Sequence, residues 1–321
     1  MKKSLRQILP RCLSLLCALA VMMAGCAATA EGGVIKDVVN VGINADPGDL
    51  SPWGPNSTGR TATTDNLYQS LAVCAGGEIY GVLMKEYVLA EDESYMDVYL
   101  YDYIHDSAGN HMTASDIVFS FDKCIELGNV NGLSYIDSAE AIDDYTVRFN
   151  FGKTLYVYDL ETLFETFYIV TEAAYEASAD GMSTMPVTTF PYKVTDYTSG
   201  YLLTLEKVDD YWQTDEAAIH PRHKANVNTI NYYIITETAQ MTMALENGSI
   251  DMSWAVSTDD LYVFQEGGSQ AGNYWVHQAP DNLVMQLFAN CSDDKATSNV
   301  DLRKAIYYAV DSNIVLQSVY N

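Results

Sequence analysis

The chain has 321 residues, of which 43 are acidic and 17 basic, and its formal net charge is −26. Nucleic acids and anionic lipids are bound through clustered Lys and Arg side chains, so this balance argues against both as partners. The length is enough for two lobes, each with a core of its own.

The first 25 residues have the pattern of a secretory signal. Four cations open it: Lys2, Lys3, Arg6 and Arg11. An uncharged apolar run from Leu13 to Ala24 follows, which is shorter than the roughly 20 residues that span a membrane. The run ends in Met-Ala-Gly-Cys, which resembles the bacterial lipobox, where the cysteine is lipidated. We therefore predict a lipid on Cys26 that anchors the chain to the outer face of a membrane. Simple cleavage after Ala28 or Ala30 is the alternative.

Residues 26–37 are predicted to be a tether, because they are small and have no pattern for a core. Loss of the four signal cations takes the charge from −26 to about −30. Three further cysteines remain, Cys74, Cys124 and Cys291, and no two of them have CxxC spacing. We predict neither a disulfide framework nor a zinc site, and expect all three as buried small side chains.

The first predicted strand is the apolar run VVNVGINA at 38–45. The stretch DPGDLSPWGPNSTG follows, and its three prolines exclude regular structure. A long loop directly after a first strand is often a functional loop. Residues 61–73, TATTDNLYQSLAV, are interpreted as a helix that packs Leu67, Leu71 and Ala72 inward.

The middle of the chain shows the alternation of half-buried strands. Residues 94–105 alternate strictly and predict a strand of an antiparallel sheet. Thr113, with Asp116 three residues later, predicts a capping box at the start of a helix. After that helix, 141–151 is predicted as one strand and 190–212 as a hairpin with the turn Thr-Ser-Gly.

Strands and helices continue to alternate towards the carboxyl terminus. The apolar run 227–236 predicts a buried strand, and the next segment predicts a helix that ends at Gly248. Two more strands are predicted at 273–280 and 283–290. The mixture indicates an α/β protein with many antiparallel pairs.

The last 21 residues, 301–321, predict two amphipathic helices. Leu302, Ala305 and Ile306 recur at helical spacing, and Asp311 has the position of a cap for the second helix. Two newly begun apolar helices have little to pack on. We therefore expect an exposed apolar face over 302–319 and a chain that stops inside a lobe.

Five stretches in order resemble the extracytoplasmic solute-binding proteins of peptide and nickel ABC importers, family 5. They are GINADPGDLSPWG, IHDSAGNHMTASDIVFSF, FPYKVTDYTSGYLLTLEKVDDYW, ALENGSIDM and DLRKAIYYAVDSNIVLQSVY. Ser51 stands where the first loop of the family usually has a second aspartate, and Phe190 replaces the glycine before Pro191. The resemblance runs from about residue 38 to the end of the chain.

This resemblance implies an α/β fold of the type II periplasmic-binding-protein kind, with two lobes and an inserted subdomain. Lobe I would comprise 38–60 and 186–282, and the inserted subdomain 61–185. Residues 283–321 would begin a lobe II that is incomplete, so the chain would be an amino-terminal portion of a longer protein.

The resemblance also implies a binding function, in which no covalent bond is made or broken. A monomeric binding component would capture oligopeptides or dipeptides by hinge closure and deliver them to the permease subunits of an importer. No catalytic residue, metal or cofactor is expected, since no bond is broken. Another solute, such as a nickel complex, haem or an oligosaccharide, stays open as an alternative. So does a secreted glycosidase, which would need two carboxylates about 5–10 Å apart.

The resemblance places Trp254 and Ala255 at ligand-lining positions. The other candidates for the cleft are their neighbour Ser253, Asn44 and Asp46 at the end of the first strand, and Gln286 on the predicted strand 283–290. For Trp254 the alternative is a packed core side chain. Asp46 is expected to cap the turn beside Pro47 if it does not border the cleft. The alternative for Gln286 is a solvent-facing position on an alternating strand.

The histidines suggest no metal site. His220 and His223 have i, i+3 spacing, but Pro221 disfavours a regular helix there, so a surface loop is predicted. His105 and His111 flank a turn and are expected to be exposed. The sequence contains no HExxH, GxSxG, GxGxxG or P-loop motif.

Overall fold

A computed structural model describes residues 36–55, 58–128, 132–277 and 287–319. The predicted signal, Cys26 and Gln286 lie outside the described residues. A compact unit begins at Val38. Among the described residues, no helix has both the length and the apolar character needed to cross a membrane.

The strands, in chain order, are β1 (Val38–Ile43), β2 (Ala72–Ala75), β3 (Glu78–Gly81), β4 (Met84–Leu89), β5 (Tyr95–Leu100), β6 (Ile136–Asp143), β7 (Thr146–Phe151), β8 (Tyr192–Thr198), β9 (Leu202–Lys207), β10 (Thr229–Ile234) and β11 (Met252–Ser253). The helices are α1 (Thr58–Thr64), α2 (Ala114–Glu126), α3 (Val157–Glu165), α4 (Glu172–Ala177), α5 (Thr238–Glu246), α6 (Val300–Ala309) and α7 (Ser312–Val319).

The larger sheet has five strands in the order β11-β1-β10-β9-β8. β1 runs parallel to β10, with Val38 opposite Thr229 and Ile43 opposite Ile234, and it also runs parallel to β11. β9 is antiparallel to β10 and forms a hairpin with β8. The hairpin predicted at 190–212 and its Thr-Ser-Gly turn are confirmed.

The inserted segment contains a four-stranded antiparallel sheet, β4-β5-β7-β6, with α2 packed against it. The alternation in β5 is confirmed: Met96, Val98 and Leu100 are buried. The capping box of α2 is confirmed as well, since the main-chain N–H of Thr113 donates to Asp116 Oδ2 at 2.7 Å.

Two element predictions are wrong for local reasons. The segment 141–151 is a hairpin and not one strand, because Asp143 accepts from the N–H of Tyr145 at 2.9 Å and turns the chain. The helix expected over 61–73 ends at Thr64. The threonine hydroxyls there bond back to preceding carbonyls, and such competition weakens a helix.

The strand predictions near the carboxyl end are also wrong where they can be compared. Residues 273–277 and 287–290 have no strand structure. The rest of these two predicted strands lies outside the described residues.

One hydrophobic core connects the two sheets. Ile43 and Leu203 from the large sheet belong to the same buried cluster as Phe149 and Phe164 of the inserted segment. The loop after β1 joins this core, because Trp53 is buried and its Nε1 donates to the carbonyl of Tyr168 at 3.1 Å. The functional loop expected here is therefore held by packing along much of its length.

The helices α6 and α7 are exposed on their apolar sides. α6 buries no residue, and Tyr307, Tyr308 and Ile314 are largely exposed. This agrees with the predicted exposed face as far as the described side chains extend. Asn299 caps α6 by accepting from the N–H groups of Asp301 and Leu302.

The cysteine prediction is correct for one residue only. Cys124 is buried, but Cys74 is half-buried and Cys291 is exposed. Burial raises the pKa of the Cys124 thiol to about 11. Cys291 lies in the exposed segment before α6, where no core is available to cover it.

A buried polar network joins the inserted segment to the large sheet. Gln69 accepts from Trp212 Nε1 at 3.0 Å, donates to the Tyr211 hydroxyl at 2.8 Å, and lies 3.4 Å from Nδ1 of His223. His223 is 9% exposed and meets the ring of Phe190 edge-on at 5.3 Å. The surface position predicted for His223 is therefore wrong, because the 3-10 turn Pro221–His223 directs this side chain inward.

His105 and His111 flank a turn as predicted, but the exposure predicted for both is correct only for His111. His105 and His111 pair across it as an isolated bridge, with His111 exposed and His105 half-buried.

Stability should depend on pH through His223. Burial lowers the pKa of His223 to about 4 from a usual 6.5, and the electrostatic effects of His220 and Arg222 act in the same direction. The unfolded chain therefore takes up a proton first. The contribution of neutral His223 is complete above pH 6.5 and is lost as the pH falls towards 4. We expect His223→Gln to lose less unfolding free energy between pH 7 and 4.5 than the parent, by on the order of 2 kcal/mol.

Urea unfolding at both pH values measures this difference. His111→Gln, which changes an exposed histidine, is the control and should behave like the parent. Equal losses in the parent and in His223→Gln would contradict the assignment.

Candidate functional site

The parallel pairing of β1, β10 and β11 brings three strand ends to one edge of the large sheet. Asn44 follows β1, Ile235 follows β10, and Trp254 follows β11. We call this the carboxyl edge. The crevice outside the carboxyl ends of parallel strands is where open α/β sheets bind ligands, because loops and main-chain groups converge there.

Ser253 holds the end of β11 in place. Its hydroxyl donates to the carbonyl of Gly42 at 2.9 Å and accepts from the N–H of Ala255 at 3.0 Å. Trp254 lies between these two anchored residues and is 52% exposed, with its ring 6.5 Å from that of Tyr232. Trp254 is therefore not a packed core side chain. Its backbone is held by the hydrogen bonds of the neighbouring Ser253, and its indole ring is half exposed.

Gly42 allows this close arrangement. A Cβ on Gly42 would collide with Met241 Sδ and with Ile250 Cδ1. The absence of a side chain lets α5 lie directly on β1, where Met241, Leu245 and Ile250 form a small second core. Ala255 packs partly against this core, so its side chain belongs to the support of the carboxyl edge.

Asp46 is committed to structural hydrogen bonds. Its Oδ1 accepts from the Tyr197 hydroxyl at 2.5 Å and from the N–H of Gly48 at 2.9 Å. Its Oδ2 accepts from the Ser199 hydroxyl at 2.7 Å and from the N–H of Gly200. The carboxylate therefore ties the loop after β1 to the β8–β9 turn.

These hydrogen bonds shift the pKa values of Asp46 and Tyr197. Partial burial acts to raise the pKa of Asp46, but the hydrogen bonds from Tyr197, Ser199, Gly48 and Gly200 outweigh it, so the pKa lies below its usual value. Burial, with the bond to Asp46, raises the pKa of Tyr197 to about 12. Asp46 is thus charged and Tyr197 neutral at pH 7.

The other candidates are brought together only in part. Asn44 is exposed at the carboxyl edge beside β11. Gln286 lies outside the described residues, so its place at the site stays a prediction. Within the described ranges, no group of three or more His, Cys, Asp or Glu side chains is placed to hold a metal ion.

Sequence reasoning missed the partners of Asp46. Tyr197, Ser199 and Gly200 are about 150 positions away along the chain. The predicted hairpin contained all three, but no local pattern shows that its turn meets the first loop. The contact is evident only in the folded structure, where the β8–β9 turn faces the loop after β1 and its donors meet the carboxylate oxygens of Asp46.

The family of the chain follows from a match over most of its length. The family model "Bacterial extracellular solute-binding proteins, family 5 Middle" matches residues 78–321. The chain belongs to this family. The resemblance seen in five short stretches is confirmed.

Two curated relatives of this family 5 protein carry the names of binding proteins. It is 24% identical to the oligopeptide-binding protein OppA of Bacillus subtilis (strain 168) in an alignment 318 residues long that covers 88% of this chain and 54% of OppA. It is 24% identical to the probable D,D-dipeptide-binding periplasmic protein DdpA of Escherichia coli (strain K12) in an alignment 307 residues long that covers 91% of this chain and 57% of DdpA. The chain thus spans a little over half the length of these relatives.

The fold prediction is confirmed by solved structures. NikA from Brucella suis, in complex with Fe(III)-EDTA, superposes with a TM-score of 0.65 at 21% identity, covering 88% of this chain and 56% of NikA. At that identity the likeness establishes the fold alone, which is the type II periplasmic-binding-protein fold.

Removal of the Asp46 charge should loosen the loop after β1. In Asp46→Asn, one carboxylate oxygen is replaced by an amide NH2 group, which cannot accept hydrogen bonds. At least one of the donors of Gly200 and Ser199 would then lose its acceptor. We expect a loss of about 1–3 kcal/mol in unfolding free energy at pH 7. Denaturant unfolding measures this, with faster hydrogen exchange at Gly48 and Gly200 as a local signal.

Asp196→Asn is the matched control, since Asp196 is exposed on β8 next to Tyr197. Equal stability of the two variants would show that the Asp46 bonds contribute nothing net.

Proposed function

We propose that this chain forms the first lobe of the solute-binding component of an ABC importer and that its solute is an oligopeptide or dipeptide. The observation that carries the proposal is the carboxyl edge of a family 5 chain, which presents an anchored, exposed indole beside converging strand ends. The names of the relatives OppA and DdpA support peptides as the solute class.

The carboxyl edge suits an extended, variable ligand. The half-exposed face of Trp254 offers stacking area of a kind that tolerates many side chains. Asn44 carries one amide acceptor and two donors, which match the polar groups of a peptide main chain. A second lobe that closes over such a ligand would be stabilised by contacts made only in the closed state.

The domain boundaries and the lipid anchor are part of the same proposal. Lobe I comprises 38–60 and 186–282, the inserted subdomain 61–185, and lobe II begins at 283. A lipid on Cys26 holds the monomer near its permease subunits, on the outer face of the membrane. The continuous core between lobe I and the inserted segment supports their treatment as one body.

A second candidate is the same mechanism with another solute. The NikA structure holds Fe(III)-EDTA, so the fold also accommodates a metal chelate. The glycosidase alternative is not favoured, because the matched family and the relatives OppA and DdpA are binding proteins.

Peptide binding should raise the thermal stability of the chain. Trialanine is the probe, and mass action predicts an unfolding temperature that rises with its concentration. Trp254→Ala should weaken trialanine binding by about 5- to 30-fold, because a stacking surface of this size contributes about 1–2 kcal/mol. Differential scanning fluorimetry and titration calorimetry measure both effects.

Tyr158→Ala is the control, since Tyr158 is 72% exposed on α3 of the inserted segment. It should bind trialanine like the parent. A shift with Fe(III)-EDTA or maltotriose and none with trialanine would overturn the peptide assignment.

A further inference from the structure

A cavity of about 550 Å³ lies between the inserted segment and the 3-10 turn Pro221–His223. Its rim carries Asp65, Glu165 and Arg222, and its inner wall includes Tyr68 and His223. The volume is within the range of small-molecule sites, which combine an apolar wall with a few convergent polar groups.

The His223 wall of this cavity lies far from the carboxyl edge. Phe190, which contacts His223, stands two residues before β8, and β8 begins beside the end of β9. That end of β9 pairs with the start of β10, which pairs with the start of β1. The His223 wall therefore lies at the opposite edge of the sheet from Trp254, and the six residues of β1 alone span about 17 Å. Another lining residue, Asn66, lies nearer the carboxyl edge, because it hydrogen-bonds Tyr232, whose ring is 6.5 Å from that of Trp254.

Both signs of charge meet at the rim. Glu165 Oε1 accepts from Arg222 Nη1 at 3.3 Å and from the N–H of Cys74 at 2.8 Å. The contact with Arg222 is single and the Arg222 side chain is 62% exposed, so other guanidinium donors can reach a ligand. Asp65 accepts from the Tyr168 hydroxyl at 2.5 Å through Oδ1.

The inner wall offers a buried donor. Nδ1 of His223 lies 3.4 Å from Nε2 of Gln69, an amide nitrogen that can only donate, so the ring proton is assigned to Nε2. In the part of the chain that the structure describes, Nε2 of His223 makes no hydrogen bond. His223 is nine-tenths buried and borders the cavity, so a ligand acceptor would satisfy this N–H.

We propose that this cavity binds the zwitterion of a free α-amino acid, with its ammonium group at Asp65 and its carboxylate between Arg222 and His223. Carboxylates are bound well by a guanidinium and a neutral N–H together. A ligand with one charge would meet only one of the two oppositely charged sides of the rim. The site needs no second lobe, so it goes beyond the proposed transport function.

Titration calorimetry with the full chain at pH 7 tests this site, with L-alanine as the probe. Propionate and ethylamine each lack one of its charges and should bind at least about tenfold more weakly. Arg222→Gln should weaken alanine by about tenfold or more. Lys224→Gln, which removes an exposed cation two residues away, should leave alanine binding unchanged.

The inference would be overturned by no binding of alanine, by equal binding of propionate or ethylamine, or by unchanged alanine binding in Arg222→Gln. The unfolding temperature of each variant shows that it is folded. Trp254→Ala separates this site from the carboxyl edge, since it should weaken trialanine and leave alanine unaffected. If Trp254→Ala loses alanine binding and Arg222→Gln keeps it, alanine binds at the carboxyl edge and the inference is also overturned.

Discussion

The parallel pairing of β1 with β10 and β11 is the constraint on which the rest of the structure depends. Val38 pairs with Thr229, and Val41 pairs with Met252, across about 190 to 210 residues of intervening chain. Parallel strands cannot be joined by a tight turn, so each connection must leave the sheet and return. The whole inserted segment lies within the first of these connections. The carboxyl edge exists only because this long closure places three strand ends side by side.

A pairing so distant needs support on both faces of the sheet. On one face the main core runs without a break from Ile43 to Phe149 of the inserted sheet. On the other face α5 lies directly on Gly42. The Gln69 network and the Asp46 bonds then select one docking geometry, because a buried polar group is stable only where every partner is in place. The apolar core stabilises the packing of the inserted segment on the large sheet. The hydrogen bonds of Gln69 and Asp46 determine how the two are positioned relative to each other.

Local signals predicted the elements whose cause is local. The capping box of Thr113 and Asp116, the alternation of β5 and the helix end before Gly248, which adopts a φ of +73°, all follow from interactions within a few residues. The failures arose where a competing bond or a distant surface decided the outcome. Asp143 turns the chain inside an apparently continuous strand, and His223 is buried only because Gln69 and Phe190 come to it.

The sequence by itself determined the acidic balance, the α/β character, most strand positions in the first 236 residues and the family resemblance. These properties depend on composition, on periodicity and on motif order, all of which a chain carries before it folds. Only the tertiary structure decided that Asp46 is a structural acceptor, that Trp254 is exposed, and that Arg222 and His223 border a cavity. Those roles depend on which distant groups come within hydrogen-bonding or packing distance, and no short-range pattern records that.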